Sequence, residues 1–120
     1  MGRNIRIKET LKELGVSPNL CGYYYLEEAI SLTIDDPALV HGQVTKVLYP
    51  CIAKKFKTTT SRVERAIRHA IGVSGQRGNV ELIEKIFSYS TDYNRGKATN
   101  SEYIATVADY LRGIDNDTHN

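Results

Sequence analysis

The residues with the most chemistry to offer lie between Ser61 and Ile71. At 100° per residue, Val63, Ala66, Ile67, Ala70 and Ile71 share one half of a helical wheel, and Ser61, Arg62, Glu64, Arg65, Arg68 and His69 fill the other. One side can dock on a core while the other presents three guanidinium groups, a carboxylate, an imidazole and a hydroxyl. These are the groups that reading DNA bases requires. An arginine can grip guanine O6 and N7 with two hydrogen bonds, and a glutamate can accept from the cytosine N4 amine. A purely electrostatic face would have no use for Glu64. The competing reading is an ordinary surface helix in which Glu64 and Arg68 form an i, i+4 ion pair, worth only a few tenths of a kcal/mol.

The charge surrounding this segment favours a polyanionic partner. The chain has 120 residues and a net charge of +2, but from Lys46 to Arg77 eight cations face one anion, Glu64. That stretch carries +7, which leaves −5 for the remainder. Cations concentrated on an otherwise acidic domain are the footprint of a nucleic-acid binder, because neutralising phosphates releases condensed counterions. Other function classes find little support. Cys21 and Cys51 stand thirty positions apart without the spacing of a zinc site or a disulfide framework, and both are expected as buried or half-buried thiols. His41, His69 and His119 are scattered, so neither a metal nor a cofactor is expected. Asp35 and Asp36 face no second acidic cluster, no nucleophile has an evident base, and the expectation is that the chain is not an enzyme.

The elements that must position this helix are helical themselves. Ile7, Leu11 and Leu14 mark a first helix over about 4–14, with Gly15 as its C-terminal cap. Leu26, Ala29, Ile30, Thr33 and Ile34 mark a second over 23–34. Asp36 followed by Pro37 reads as the N-cap and first position of a short third helix to Val40, closed by Gly42. Thr45 to Phe56 is helical in pattern. Pro50 demands either a kink or a fresh start, and a turn followed by a helix over 50–56 is preferred.

Lys57 to Thr60 then forms a polar turn, and Ser61 with Glu64 has capping-box spacing for a helix running to about Val73. Ile52, Ala53 and Phe56 before the turn, and Val63 and Ala66 after it, give helix-turn-helix spacing over about 50–74. The turn lacks glycine, which pushes Lys57 toward a left-handed backbone. Asn79 caps a helix to Phe87, residues 88–98 read as a loop, and Thr99 with Glu102 forms a second capping box. The last helix carries Ile104, Val107, Ala108 and Leu111, with a disordered polar tail expected over about 114–120. No segment alternates with period two, so the fold class is all-α, a single domain and compact bundle of about six helices. No apolar run approaches the roughly 20 residues of a membrane span, and no secretory signal opens the chain, so a cytoplasmic protein without membrane contact is expected.

Several runs resemble a known family. They are Thr45 to Pro50, Ile52 to Lys55 and the uninterrupted Ser61 to Ile71, supported by Gly22-Tyr23, Leu26 and Glu28 to Ile30 upstream and by Thr99 to Glu102 and Val107 to Asp109 downstream. Together they resemble the C-terminal effector domain of the stage-zero sporulation response regulator of endospore-forming Firmicutes. The resemblance implies a six-helix regulator that reads TGTCGAA-like boxes in double-stranded DNA and activates or represses promoters at the onset of sporulation. It assigns base reading to Arg62, Glu64 and Arg65, places Ser61, Arg68 and His69 on or near phosphates, and adds Thr60 to the DNA-binding set. It also implies an RNA polymerase sigma-factor contact at about 78–91, and a head-to-tail homodimer on tandem sites through the last helix, Ala108 included. The family's phosphoacceptor receiver domain is absent from the sequence, so an effector fragment is expected. Gly72, Ser74 and Gly75 depart from the family's better helix formers, which predicts an early end to the recognition helix. The loop 90–98 and the tail after Arg112 also depart from it. A protein-interaction module whose basic helix grips an acidic partner is the alternative.

Overall fold

The computed structural model describes residues 2–87 and 99–118, with side chains through Ile114. Six α-helices carry the fold: α1 (Gly2–Glu13), α2 (Cys21–Asp35), α3 (Tyr49–Lys55), α4 (Thr60–Arg77), α5 (Val80–Phe87) and α6 (Asn100–Thr118). A 3-10 turn, Pro37–Val40, and a π-helical turn, Val44–Leu48, connect α2 to α3. Among the described residues there is no strand, and the class is all-α as expected. The expected loop at 88–98 lies outside the described residues.

The second helix is the hub, with α1, α4 and α6 packed around it. Tyr23, Leu26, Ala29, Ile30 and Ile34 supply its buried face. They meet Ile7 and Leu11 of α1, Val63, Ile67 and Ala70 of α4, and Ile104, Val107 and Leu111 of α6 in one apolar core. The tightest approach is between α2 and α4. A Cβ on Gly22 would fall on the Ala66 carbonyl oxygen, 2.7 Å from its carbon and 3.0 Å from the Ala70 Cβ. Only a residue without a side chain on α2, facing alanines on α4, lets the two backbones come so near.

Helix ends follow the capping chemistry written in the sequence, with one exception. Asp36 accepts from the Ala38 N–H at 3.2 Å ahead of Pro37, although the element it starts is 3-10 rather than α. Asn79 accepts from the N–H groups of Glu81 and Leu82 at 2.9 and 3.3 Å. The Thr99 and Glu102 side chains each accept the other's backbone N–H, at 3.2 and 2.9 Å, a complete capping box. The exception is α4. Ser61 does not cap it. Thr59 does, accepting from the Arg62 N–H at 3.2 Å, and Glu64 turns to Arg68 instead.

Three further differences have physical reasons. The α4 helix does not stop near Val73 but runs to Arg77, because Ser74 is buried with its hydroxyl 2.8 Å from that of Tyr103 on α6. That bond, together with burial of the α4 face that ends in Ser74, offsets a helix-propensity cost of about 1 kcal/mol for each of Gly72 and Gly75. Burial raises the Tyr103 phenol to about 12. The chain before Pro50 is helical, since the π-helical segment Val44–Leu48 runs directly into α3; Pro50 lies in the first turn of α3, where the change from the wider to the narrower helix accommodates its missing N–H. Both cysteines are exposed, not buried.

The Gly22 contact makes a direct prediction. Gly22→Ala should destabilise the protein by at least about 2 kcal/mol, since neither backbone can retreat without opening the core. Urea unfolding of the two proteins measures this, and equal midpoints would show that the α2–α4 contact is looser than the coordinates indicate.

Candidate nucleic-acid interface

The corner between α3 and α4 is built by two backbone hydrogen bonds. The Lys57 N–H reaches the Lys54 carbonyl at 3.4 Å and the Thr58 N–H reaches the Ala53 carbonyl at 2.9 Å. This pairing ends a helix with its next residue in the left-handed region, and Lys57 has φ of 55°, as the glycine-free turn predicts. The same pairing closes α1, where Gly15 and Val16 bond to Lys12 and Leu11 and Gly15 has φ of 85°. Glycine adopts that conformation freely and lysine does not. The strain is held because Ile52 and Ala53 on one side, and Val63 and Ile67 on the other, are buried in the common core.

With the corner fixed, α4 divides as its helical wheel requires. Val63, Ile67, Ala70 and Ser74 are buried, and Ala66 and Ile71 partly so. Thr60, Ser61, Arg62, Arg65, Arg68 and His69 are all exposed, with Glu64 half-buried among them. All seven predicted site residues therefore share one solvent-facing stripe of α4. Both readings of Glu64 keep their relevance. Its carboxylate pairs with the Arg68 guanidinium along the helix, and that hydrogen bond raises the arginine's pKa. Arg62 and Arg65 form no ion pair among the described residues.

Around the stripe, the cations are not all equally available. Lys55 is turned back to Glu28 of α2 at 2.7 Å. Lys46, Lys54 and Lys57 are exposed and form no ion pair among the described residues. A shallow cleft of about 300 Å³ lies beside the first turn of α4, lined by Thr45, Tyr49, Thr60, Ser61, Glu64 and Arg65. The N-terminal N–H groups of α4 open at the same end, where a helix favours anions such as phosphate. This half of the surface, contributed by the π-helical turn and Tyr49, had no signal in the periodicity of the chain.

Residues 7–111 match the family described as Sporulation initiation factor Spo0A C terminal. The chain belongs to that family. It is therefore a helical effector domain of the DNA-binding regulators of sporulation initiation, a family of transcription-factor domains and not of enzymes. Membership supports DNA binding at the level of the family, and the helix-turn-helix corner presents the exposed face of α4 to solvent. Among the described residues, no helix is long and apolar enough to cross a membrane, and no three His, Cys, Asp or Glu side chains are grouped to hold a metal.

The strained corner can be relaxed. Lys57→Gly should raise stability by about 0.5–1 kcal/mol, the left-handed penalty removed less the extra backbone entropy of glycine. A rise in the thermal midpoint is the expected result. A fall would mean that the lysine stem contributes more packing than its exposure indicates.

Proposed function

We propose that this domain is a sequence-specific transcription regulator that lays α4 in the major groove of TGTCGAA-like boxes. The observation that carries the reading is the α4 stripe, in which two arginines without an ion pair among the described residues flank a carboxylate on the outer face of a helix-turn-helix. Arg62 and Arg65 suit bidentate contacts to guanine, and Glu64 suits the cytosine amine. Thr60, Ser61, Arg68 and His69 serve phosphates at the groove edges, with Lys46, Lys54 and Lys57 adding sequence-independent attraction. Position, not net charge, supplies the affinity.

The partners follow from the family likeness and stay within this proposal. RNA polymerase sigma factor is met through about 78–91, where Val80 stands 66% exposed on α5; residues 88–91 lie outside the described residues. Two copies sit head-to-tail on tandem boxes through α6. Ala108 is buried, so that surface must be formed by its exposed neighbours, Asp109 being one. A cytoplasmic location accords with these partners, and the chain is read as a single domain; the disordered tail expected over about 114–120 overlaps α6, which runs to Thr118, and residues 119–120 lie outside the described residues.

Arg65→Ala tests the assignment. Its affinity for a duplex carrying the box should fall by about 1–3 kcal/mol, with little change on a scrambled duplex at the same salt. Equal losses on both would reduce Arg65 to a phosphate clamp. Failure of the unaltered domain to prefer any duplex would instead favour an acidic protein partner.

A further inference from the structure

The recognition helix is held from a third direction that neither the helical wheel nor the helix-turn-helix spacing discloses. Asn100 is the first residue of α6, and its side-chain amide has two N–H donors. One donates to the Tyr49 hydroxyl on α3 at 3.0 Å, and the other atom pair joins the same nitrogen to the Glu64 backbone carbonyl on α4 at 3.1 Å. A single nitrogen thus bridges all three helices. The site is half-buried, and Tyr49 itself is buried enough that desolvation raises its phenol pKa.

Two features make this bridge rigid. The reciprocal Thr99 and Glu102 cap fixes the first turn of α6, so Asn100 projects from an anchored backbone. At its other end lies Glu64, in the middle of the two turns of α4 that carry Arg62, Glu64, Arg65 and Arg68 and from which the stripe projects. A carbonyl inside a helix already accepts from the residue four positions on. The additional donor at Glu64 therefore does not serve helix formation; it ties that turn to α3 and α6.

We infer that Asn100 is a positioning residue for sequence reading: through Tyr49 and the Glu64 carbonyl it sets where the α4 reading turn stands relative to the rest of the domain. The inference rests on the reading of α4 as the base-contacting helix. Bidentate contacts to base edges tolerate little displacement, whereas long lysine and arginine side chains can follow a phosphate. Loss of the bridge should therefore weaken discrimination and leave general DNA affinity intact.

The test compares the unaltered domain, Asn100→Ala and Tyr49→Phe on a TGTCGAA duplex and a scrambled duplex at one salt concentration, with thermal unfolding of each protein. Asn100→Ala should lose about tenfold on the box, the order of one disturbed bidentate contact, and less than about twofold on the scrambled duplex. Tyr49→Phe keeps the Glu64 bond and removes only the α3 anchor, so its loss of preference should be smaller, about threefold. It also keeps the inference falsifiable if Asn100→Ala does not fold. In amide spectra, Asn100→Ala should move the resonances of residues 61–68 and leave those of α1 in place.

A preference ratio unchanged in both folded variants, or equal losses on both duplexes, would overturn the role of Asn100 while the DNA reading stands. If the unaltered domain shows no preference for the box, both fail together.

Discussion

Gly22 on α2 meets Ala66 and Ala70 on α4 at backbone distance, and the outward direction of the α4 side chains follows from that meeting. Helices that approach this closely interlock along a fixed line, so the azimuth of α4 is set by which of its residues are small. Val63 and Ile67 then fill the angle on the core side, which leaves Arg62, Arg65 and Arg68 pointing outward. The guanidinium groups are exposed as a consequence of core packing. They need no partner of their own to hold the helix in place.

Electrostatics act on this scaffold locally. A net charge of +2 would predict weak interest in nucleic acid. Cations gathered on one surface around the single anion Glu64, with the other anions placed elsewhere in the chain, give a field that a phosphate backbone meets at short range. The structure also sorts these cations. Lys55 is paired with Glu28 and Arg68 with Glu64, while Arg62 and Arg65 form no ion pair among the described residues. Glu64 has competing uses, because a carboxylate that accepts from Arg68 has fewer lone pairs to offer a base. Pairing along the helix and reading across the groove are thus alternatives that a bound duplex must arbitrate.

Much of this was legible in the residues. The split face of α4, the caps at Asp36, Asn79 and Thr99, and the left-handed Lys57 all follow from local rules, because each depends on neighbours within a few positions. What was not legible depends on distant partners. Ser61 and Glu64 have the spacing of a capping box, but the end of α3 sets where α4 can begin, and Thr59 reaches the first free N–H groups. Gly72 and Gly75 argue for an early stop that burial of Ser74 and its bond to Tyr103 together offset. Exposure of Cys21 and Cys51 and the bridge at Asn100 likewise depend on packing between helices, for which a single sequence carries no periodic signal.

The proposed reading of guanines from the major groove by the outer face of α4 has a direct chemical test. Replacing the guanines of the box one at a time by 7-deazaguanine removes the N7 acceptor there and leaves pairing and the minor groove untouched. The account predicts that at least one such substitution weakens binding of the unaltered domain, and that the loss disappears in Arg62→Ala or Arg65→Ala. Binding that is indifferent to every 7-deazaguanine substitution would contradict it.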